Sequence, residues 1–443
     1  MSRSSERSRL PGVIPAQAGV DDTRPPVVLV VGTFDTKEVE LDMLAKEVES
    51  LGVSVVLMDT SARRWSGPRP TVVEGRHFIS QERLAMAGGH TAESVDALPR
   101  GEAVSALRAG ASDVIVGLVR DGIIDGVVCM GGAGTHIVGP ALQLLPVGFP
   151  KLVVSPLASG SRTFEPYVGI KDVAVIHSVA DIIGINAITA EVYRSAAGYI
   201  AGAAIQYQRR SKSAVPRRPT VAVCMNGNTT AALMIARDQL EARGYDFVAF
   251  HANGVGGRAL EDAVSGGGID VVIDFTLTEL SGRLVGGLMD PGPHRLEAAG
   301  AAGIPQIVVP GCVDFITTGS MDVAQREFPG RTYFAHNPEL TLVRLTAEEM
   351  RQVGLMMAEK LNAATGTVAV YIPRNGFSVP DREGGVFWDP EADKAFVAAL
   401  TDALDPRISV VELDRHINDP EFIGRILDDF DSVVGRLAAA SAG

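Results

Sequence analysis

The chain has 443 residues, 46% of them hydrophobic and 21% charged, with a formal net charge of -13. That length exceeds one ordinary core and predicts a folded protein of two or three domains. The acidic balance argues against a nucleic-acid backbone as the main partner, while a local positive pocket for a small anion stays open.

Residues 1–25 are rich in Ser, Arg and Pro and lack a long apolar run. They read as a disordered tail, not as a signal peptide or membrane span. Apolar runs elsewhere are strand-length, so the chain reads as cytoplasmic with no membrane partner. Cys129, Cys224 and Cys312 show neither zinc spacing nor a disulfide framework, and the first two lie in apolar strand-like runs. They suit small core residues in a reducing compartment.

From residue 26 to residue 208, strands are predicted at 27–32, 53–59, 126–130, 151–155 and 173–177. Helices are predicted at 36–51, 101–120, 135–145 and 181–208. Short apolar runs alternating with amphipathic stretches predict a mostly parallel sheet with helices on both faces. Residues 209–219 are basic and polar with two prolines, and read as a linker. The pattern restarts over 220–443. Strands are predicted at 220–225, 246–251, 270–275, 306–309, 332–335, 367–372 and 408–413. Helices are predicted at 229–243, 257–265, 293–302, 346–364, 391–404 and 420–440.

The first strand runs into Gly32, Thr33, Asp35, Thr36 and Lys37 and then directly into a helix. Backbone N–H groups at a helix start, two hydroxyls and Lys37 suit a phosphate. Asp35 capping the helix, with Glu38 completing a capping box, is the structural alternative. The loop fits neither the Gly-x-x-x-x-Gly-Lys-Ser/Thr nor the Gly-x-Gly-x-x-Gly pattern. Asp59 ends the next strand, where an acid meets a ribose hydroxyl or closes a turn. Gly131, Gly132, Gly134 and Thr135 form a second glycine loop after a buried strand, open to a ligand or simply a tight turn. Ser155, Ser159 and Gly160 follow the fourth strand, at the edge where open α/β sheets bind ligands.

The second half repeats the device. Asn226 begins a polar loop, and Gly256, Gly257 and Arg258 open a helix in a manner suited to a carboxylate or phosphate. Thr276, Glu279, Asp314 and Arg374 follow other strands and could line one substrate crevice. Asp274, Glu279 and Asp314 are carboxylates of the type that holds magnesium or calcium, although no spacing rule supports a metal site there.

Several motifs occur in order: Gly-Thr-Phe-Asp-Thr-Lys (32–37), Gly-Gly-Ala-Gly-Thr (131–135), Leu-Pro-Val-Gly-Phe-Pro-Lys (145–151), Ser-Pro-Leu-Ala-Ser-Gly (155–160), His-Ala-Asn-Gly-Val-Gly-Gly-Arg (251–258) and Asp-Phe-Thr-Leu-Thr-Glu (274–279). From Val27 onward the chain resembles the bacterial and plant Tm-1-like ATP-binding domain family. That family shares the ATP-binding N-terminal region of the tomato mosaic virus resistance protein. The resemblance implies two Rossmann-like subdomains with a ligand cleft between them, a homodimer, and ATP in the first subdomain, here taken with Mg2+. Two motifs depart from the commoner family pattern: Ser-Pro-Leu replaces Ser-Thr-Val at 155–157, and Met-Asn-Gly-Asn-Thr-Thr replaces Met-Phe-Gly-Val-Thr-Thr at 225–230. Three functions are compatible with the sequence. One is ATP-dependent chemistry on a small carboxylate or sugar-acid metabolite. Another is a non-catalytic module stabilised by ATP. The third is a lyase or hydrolase of a phosphorylated metabolite.

Overall fold

A computed structural model describes residues 24–62, 75–157, 165–211 and 218–435. The chain divides between Val215 and Pro216 into two compact units.

The first unit contains β1 (Val27–Gly32), α1 (Phe34–Ser50), β2 (Ser54–Asp59), β3 (His77–Ile79), α2 (Gln81–Ala87), α3 (Ala92–Ala97), α4 (Arg100–Arg120) and β4 (Gly126–Met130). A 3-10 turn, Ala133–Ile137, precedes α5 (Gly139–Leu144), β5 (Lys151–Ser155), α6 (Glu165–Val168), β6 (Ala174–His177) and α7 (Ala187–Ser211). The strands form one parallel sheet in the order β3-β2-β1-β4-β5-β6. Alternate side chains feed two cores. Leu29, Val31, Met58, Val127 and Cys129 meet α2 and α4 on one face. Val28, Val30, Leu57, Val128 and Met130 meet α1 and α7 on the other. Burial on both faces is why these strands read as unbroken apolar runs.

The second unit contains β7 (Thr220–Met225), α8 (Thr230–Ala242), β8 (Asp246–His251), α9 (Val255–Ser265), β9 (Val271–Asp274), α10 (Thr278–Val285), α11 (Ala298–Ala302) and β10 (Gln306–Val308). It continues with β11 (Phe315–Thr318), α12 (Met321–Glu327), β12 (Tyr333–Ala335), β13 (Thr341–Arg344), α13 (Ala347–Asn362), β14 (Val368–Pro373), α14 (Pro390–Ala403), β15 (Ser409–Leu413) and α15 (Pro420–Val434). Its six-stranded parallel sheet runs β15-β14-β10-β9-β7-β8, beside a three-stranded antiparallel sheet, β11-β13-β12. α13 starts on a Thr346–Glu349 capping box and buries Met350, Val353, Met357 and Leu361 at helical spacing.

The two Rossmann-like subdomains are therefore present, with several local corrections. β3, α2 and α3 had no predicted counterpart, because Gly88-Gly89 cuts their stretch into pieces too short to show a period. The expected helix 135–145 is split between the 3-10 turn and α5. The expected helix 293–302 shrinks to α11: Leu296 has φ 71°, and Arg295 turns fully inward. β11, β13, α10 and α12 had no predicted counterpart. The expected linker 209–219 begins inside α7, and residues 212–217 lie outside the described residues. Residues 1–23 of the expected tail also lie outside them. Arg24 is part of the fold, held to Asp125 at 2.6 Å. No helix among the described residues is long and apolar enough to cross a membrane.

Candidate functional site

The order of the first sheet reverses between β1 and β4, so the chain leaves these neighbouring strands toward opposite faces. Crevices at such switch points are where open α/β sheets bind ligands. Both glycine loops of the first unit flank this one. They touch: a Cβ on Gly134 would lie 2.7 Å from Thr33 Cγ2. Gly32 is equally tight, with Leu41 Cδ2 2.6 Å from a Cβ built on it.

The two loops differ in what they have left to offer. At the start of α1, Thr33 occupies the N-cap position and Asp35 lies in the first turn, exposed. The expected Asp35 cap is thus corrected. The donors of this turn are used by acceptors at and just after the end of β2: Phe34 N–H donates to Asp59 Oδ1 at 3.2 Å and Asp35 N–H to Ser61 Oγ at 3.2 Å. Ser61 also gives Asp59 Oδ1 its N–H at 2.8 Å and its hydroxyl at 2.5 Å. Asp59, read from sequence as a ribose acid or a turn residue, is buried and staples the end of β2 to the helix start. Burial raises its pKa, opposed by those hydrogen bonds. The Thr33 and Thr36 hydroxyls lie 3.1 Å apart. Lys37 breaks the helical geometry at φ -136°, and its Nζ donates to the Ile182 carbonyl at 2.5 Å.

The second loop keeps its donors. Gly131 N–H is spent on Val154 O and Thr135 N–H on Gly132 O. The N–H groups of Gly132 and Gly134 have no hydrogen bond among the described residues, and nothing lies within 4 Å of a Cβ built on Gly132. Thr135 is buried, its hydroxyl bonded to Gly132 O at 2.7 Å and to the Tyr167 hydroxyl at 2.6 Å. It shapes the loop from within. His136 stacks on Tyr167 with centroids 5.2 Å apart. Burial lowers the His136 pKa, and the positive charge of Arg108 lowers it further. Ser155 is buried and accepts from Leu157 N–H at 3.2 Å. Ser159 and Gly160 lie outside the described residues. Tyr167, His136 and Arg108 were not singled out from sequence, since none sits in a glycine motif.

In the second unit the sheet order reverses between β7 and β9. Asn226 and Thr276 meet there through Thr229: the Thr229 and Thr276 hydroxyls are 2.8 Å apart, and Thr229 Oγ1 accepts from Asn226 N–H. The start of α9 already has its anion. Glu279, fully buried, accepts from Gly254 N–H at 2.6 Å and Gly257 N–H at 3.1 Å. Gly257 is glycine for this reason, because a Cβ there would lie 2.2 Å from Glu279 Oε2. Gly256 N–H is held by Asn253 Oδ1, and Arg258 points to solvent.

Arg295 completes this cluster. It donates to Glu279 at 2.6 Å, to Glu261 at 3.1 Å and through two nitrogens to Asp274, one of them at 2.6 Å. The cation at Asp274 and Glu279 is thus the guanidinium of the chain itself. Asp314 belongs to a separate group. It is buried, accepts from Ser378 Oγ at 2.7 Å through Oδ2, and leaves Oδ1 unpartnered. Arg344 lies 2.6 Å from Asp393 and 4.0 Å from Asp381. Burial pushes the Asp314 carboxyl up to about 7, with Asp381 adding repulsion and Arg344 opposing. Arg374 pairs with Glu412 at 2.6 Å on the rim of a shallow hollow of about 300 Å³ also lined by Phe377 and Asp393. No group of three or more His, Cys, Asp or Glu among the described residues is arranged to hold a metal.

Comparison with known proteins covers both units. Residues 26–209 match the N-terminal domain, and 218–434 the C-terminal domain, of the uncharacterised protein family UPF0261. A UPF0261 protein of Clostridium tetani is 36% identical over 398 residues, spanning 89% of this chain and 96% of that one. One from Brucella suis is 33% identical, spanning 92% and 96%. The ToMV resistance protein Tm-1 of Solanum lycopersicum is 34% identical over 424 residues, which are 91% of this chain and 55% of the plant protein.

Proposed function

We propose a nucleotide-binding function for this chain, which belongs to the UPF0261 family, with the phosphates held at the β1/β4 switch point of the first unit. One observation carries the reading. The Gly131–Thr135 loop presents unused N–H groups at Gly132 and Gly134 where it abuts Thr33 of the first loop. Backbone donors without acceptors, at a crevice formed by strands diverging to opposite faces, favour an anion. ATP is the nucleotide that the family resemblance favours. Gly132 and Gly134 would hold the phosphates, with Thr33 and Thr36 lending hydroxyls. Lys37 would join them on releasing Ile182. Magnesium would be carried mainly by phosphate oxygens and water, since it needs few protein carboxylates.

The second unit favours binding over turnover. Its glycine-rich helix start is filled by Glu279, and Asp274 is neutralised by Arg295. Neither is left for a substrate carboxylate or a metal. The ATP-stabilised module is therefore preferred to carboxylate chemistry. Thermal unfolding against ATP concentration tests the reading. A ligand at a hundredfold its Kd stabilises by about 2.7 kcal/mol, and Lys37→Ala should require more ATP for the same shift. An unfolding temperature unmoved by millimolar ATP would remove the nucleotide. Release of ADP at a catalytic rate would remove the preference for a module.

A further inference from the structure

In this acidic chain the buried and half-buried arginines are mostly paired: Arg76, Arg295, Arg331 and Arg344 each hold carboxylates. Arg83 on α2 and Arg108 on α4 are exceptions. Both are half-buried, the Nε of each is shut away from solvent without an acceptor, and neither side chain forms a hydrogen bond or ion pair among the described residues. Gln81, at the start of α2, is 2% exposed with both amide atoms unpartnered. Buried polar groups of this kind are normally satisfied.

Arg108 lies on the helix that packs on the open loop's turn, and Arg83 lies on the helix that crosses it. α2 crosses α4 closely: a Cβ on Gly110 would lie 1.8 Å from the Leu84 carbonyl oxygen, and one on Gly88 2.6 Å from that of Ala106. Arg83 precedes Leu84 by one residue and Arg108 precedes Gly110 by two, so both flank one crossing. α4 also packs on the 3-10 turn Ala133–Ile137. Arg108 is close enough to His136 in that turn for its charge to be felt there. The turn directly follows Gly132 N–H and includes Gly134 N–H.

We propose that Arg83 and Arg108 form the terminal-phosphate subsite of this pocket, which makes it selective for nucleoside triphosphates over monophosphates and nucleosides. The inference rests on the nucleotide reading above and extends it to residues outside both glycine loops. A guanidinium gives a phosphate several donors in a planar fork, and unpaired guanidinia held in place by packing lose little freedom on binding.

The test is calorimetric titration of the full chain with ATP, AMP, adenosine and inorganic tripolyphosphate, for the native sequence, Arg108→Lys, and Arg83→Met combined with Arg108→Met. The native chain should bind ATP at least about tenfold tighter than AMP, the return for charge-assisted contacts made only to the outer phosphates. The double substitution should bring ATP to the AMP level, abolish tripolyphosphate binding and leave AMP and adenosine unchanged. Arg108→Lys should fall between. Because no native pair is broken, the unfolding temperature should not fall. Unchanged ATP affinity in the double variant overturns the proposal, as does an equal loss for ATP and adenosine. Arginine-dependent tripolyphosphate binding without nucleotide binding would retain the anion subsite and discard the nucleotide. No binding of either would discard both.

Discussion

Gly257→Ala sets two effects of known sign against each other. Gly257 lies in the first turn of α9, where alanine is worth up to about 1 kcal/mol more than glycine in a helix. On propensity alone the substitution stabilises. The new Cβ, however, would lie 2.2 and 2.5 Å from the Glu279 carboxylate oxygens and 2.6 Å from its carboxyl carbon. Glu279 has no room to swing away. It is fully buried and holds Gly254 N–H, Gly257 N–H and Arg295 Nε. Hydrogen bonds to a charged group contribute about 1.5–3 kcal/mol each, and breaking a buried ion pair costs about 3–5 kcal/mol. After the helix gain is subtracted, the net effect is a loss of about 2–4 kcal/mol. For a unit of this size that lowers its unfolding temperature by roughly 4–16 °C. Urea and thermal unfolding followed by circular dichroism measure it. Gly424→Ala is the control: it lies within α15 with no atom within 4 Å of the added Cβ, and should stabilise by up to about 1 kcal/mol. If Gly257→Ala is as neutral or stabilising as Gly424→Ala, the packing of Glu279 against the start of α9 is refuted.

Two further outcomes follow from buried ionisable groups. Asp314, pushed up to about 7 by burial, keeps in the folded state a proton that the unfolded chain releases near pH 4, so its contribution weakens stability as pH rises from about 4 to 7. Asp314→Asn should therefore gain stability over the native sequence at pH 8 relative to pH 5, by about 1 kcal/mol or more in urea unfolding. Parallel pH profiles for the two proteins would refute this. Cys129, with its thiol pushed up to about 12 by burial, and the buried Cys224 and Cys312, also raised, should be inert to Ellman's reagent in native protein. All three should react in denaturant; a fast thiol in the native chain would contradict the burial.

The parallel sheets were legible because helices cover both faces, leaving runs such as Val27–Val31 and Val221–Val223 continuously apolar. Of the antiparallel sheet only β12 was, as the strand expected at 332–335. Phe315–Thr318 and Thr341–Arg344 are four-residue strands carrying polar groups, too short to show a period. The same limit hid α2 and α3. Glycine loops marked the strand ends correctly, since Gly134 and Gly257 stand where a Cβ has no room. Sequence could not tell which loop donors were already used. Asp59 lies 25 residues from Phe34, and Glu279 lies 22 from Gly257. Arg295 was invisible as the partner of Asp274, because neither spacing nor residue type marks an inward-turned arginine.

That distinction decides between the two halves of the molecule. Each has a strand, a glycine loop and a helix start at a switch point, and the motif alone gives both the same claim on an anion. At α9 the anion is internal: Glu279 takes two N–H groups and returns its charge to Arg295, so an external carboxylate would have to displace a buried ion pair. Displacement on that scale costs more than a surface contact restores. At α1 the substitution is partial, with Asp59 and Ser61 accepting from two of its N–H groups, those of Phe34 and Asp35. The neighbouring Gly131–Thr135 loop has no such surrogate among the described residues, and His136 just after it feels the charge of Arg108, a cation with no carboxylate partner among the described residues. An unfilled donor loop beside an unpaired cation is electrostatically incomplete, whereas the α9 start is complete. The Gly131–Thr135 loop therefore keeps N–H donors of the kind that the start of α9 has spent on Glu279, although the sequence device is the same.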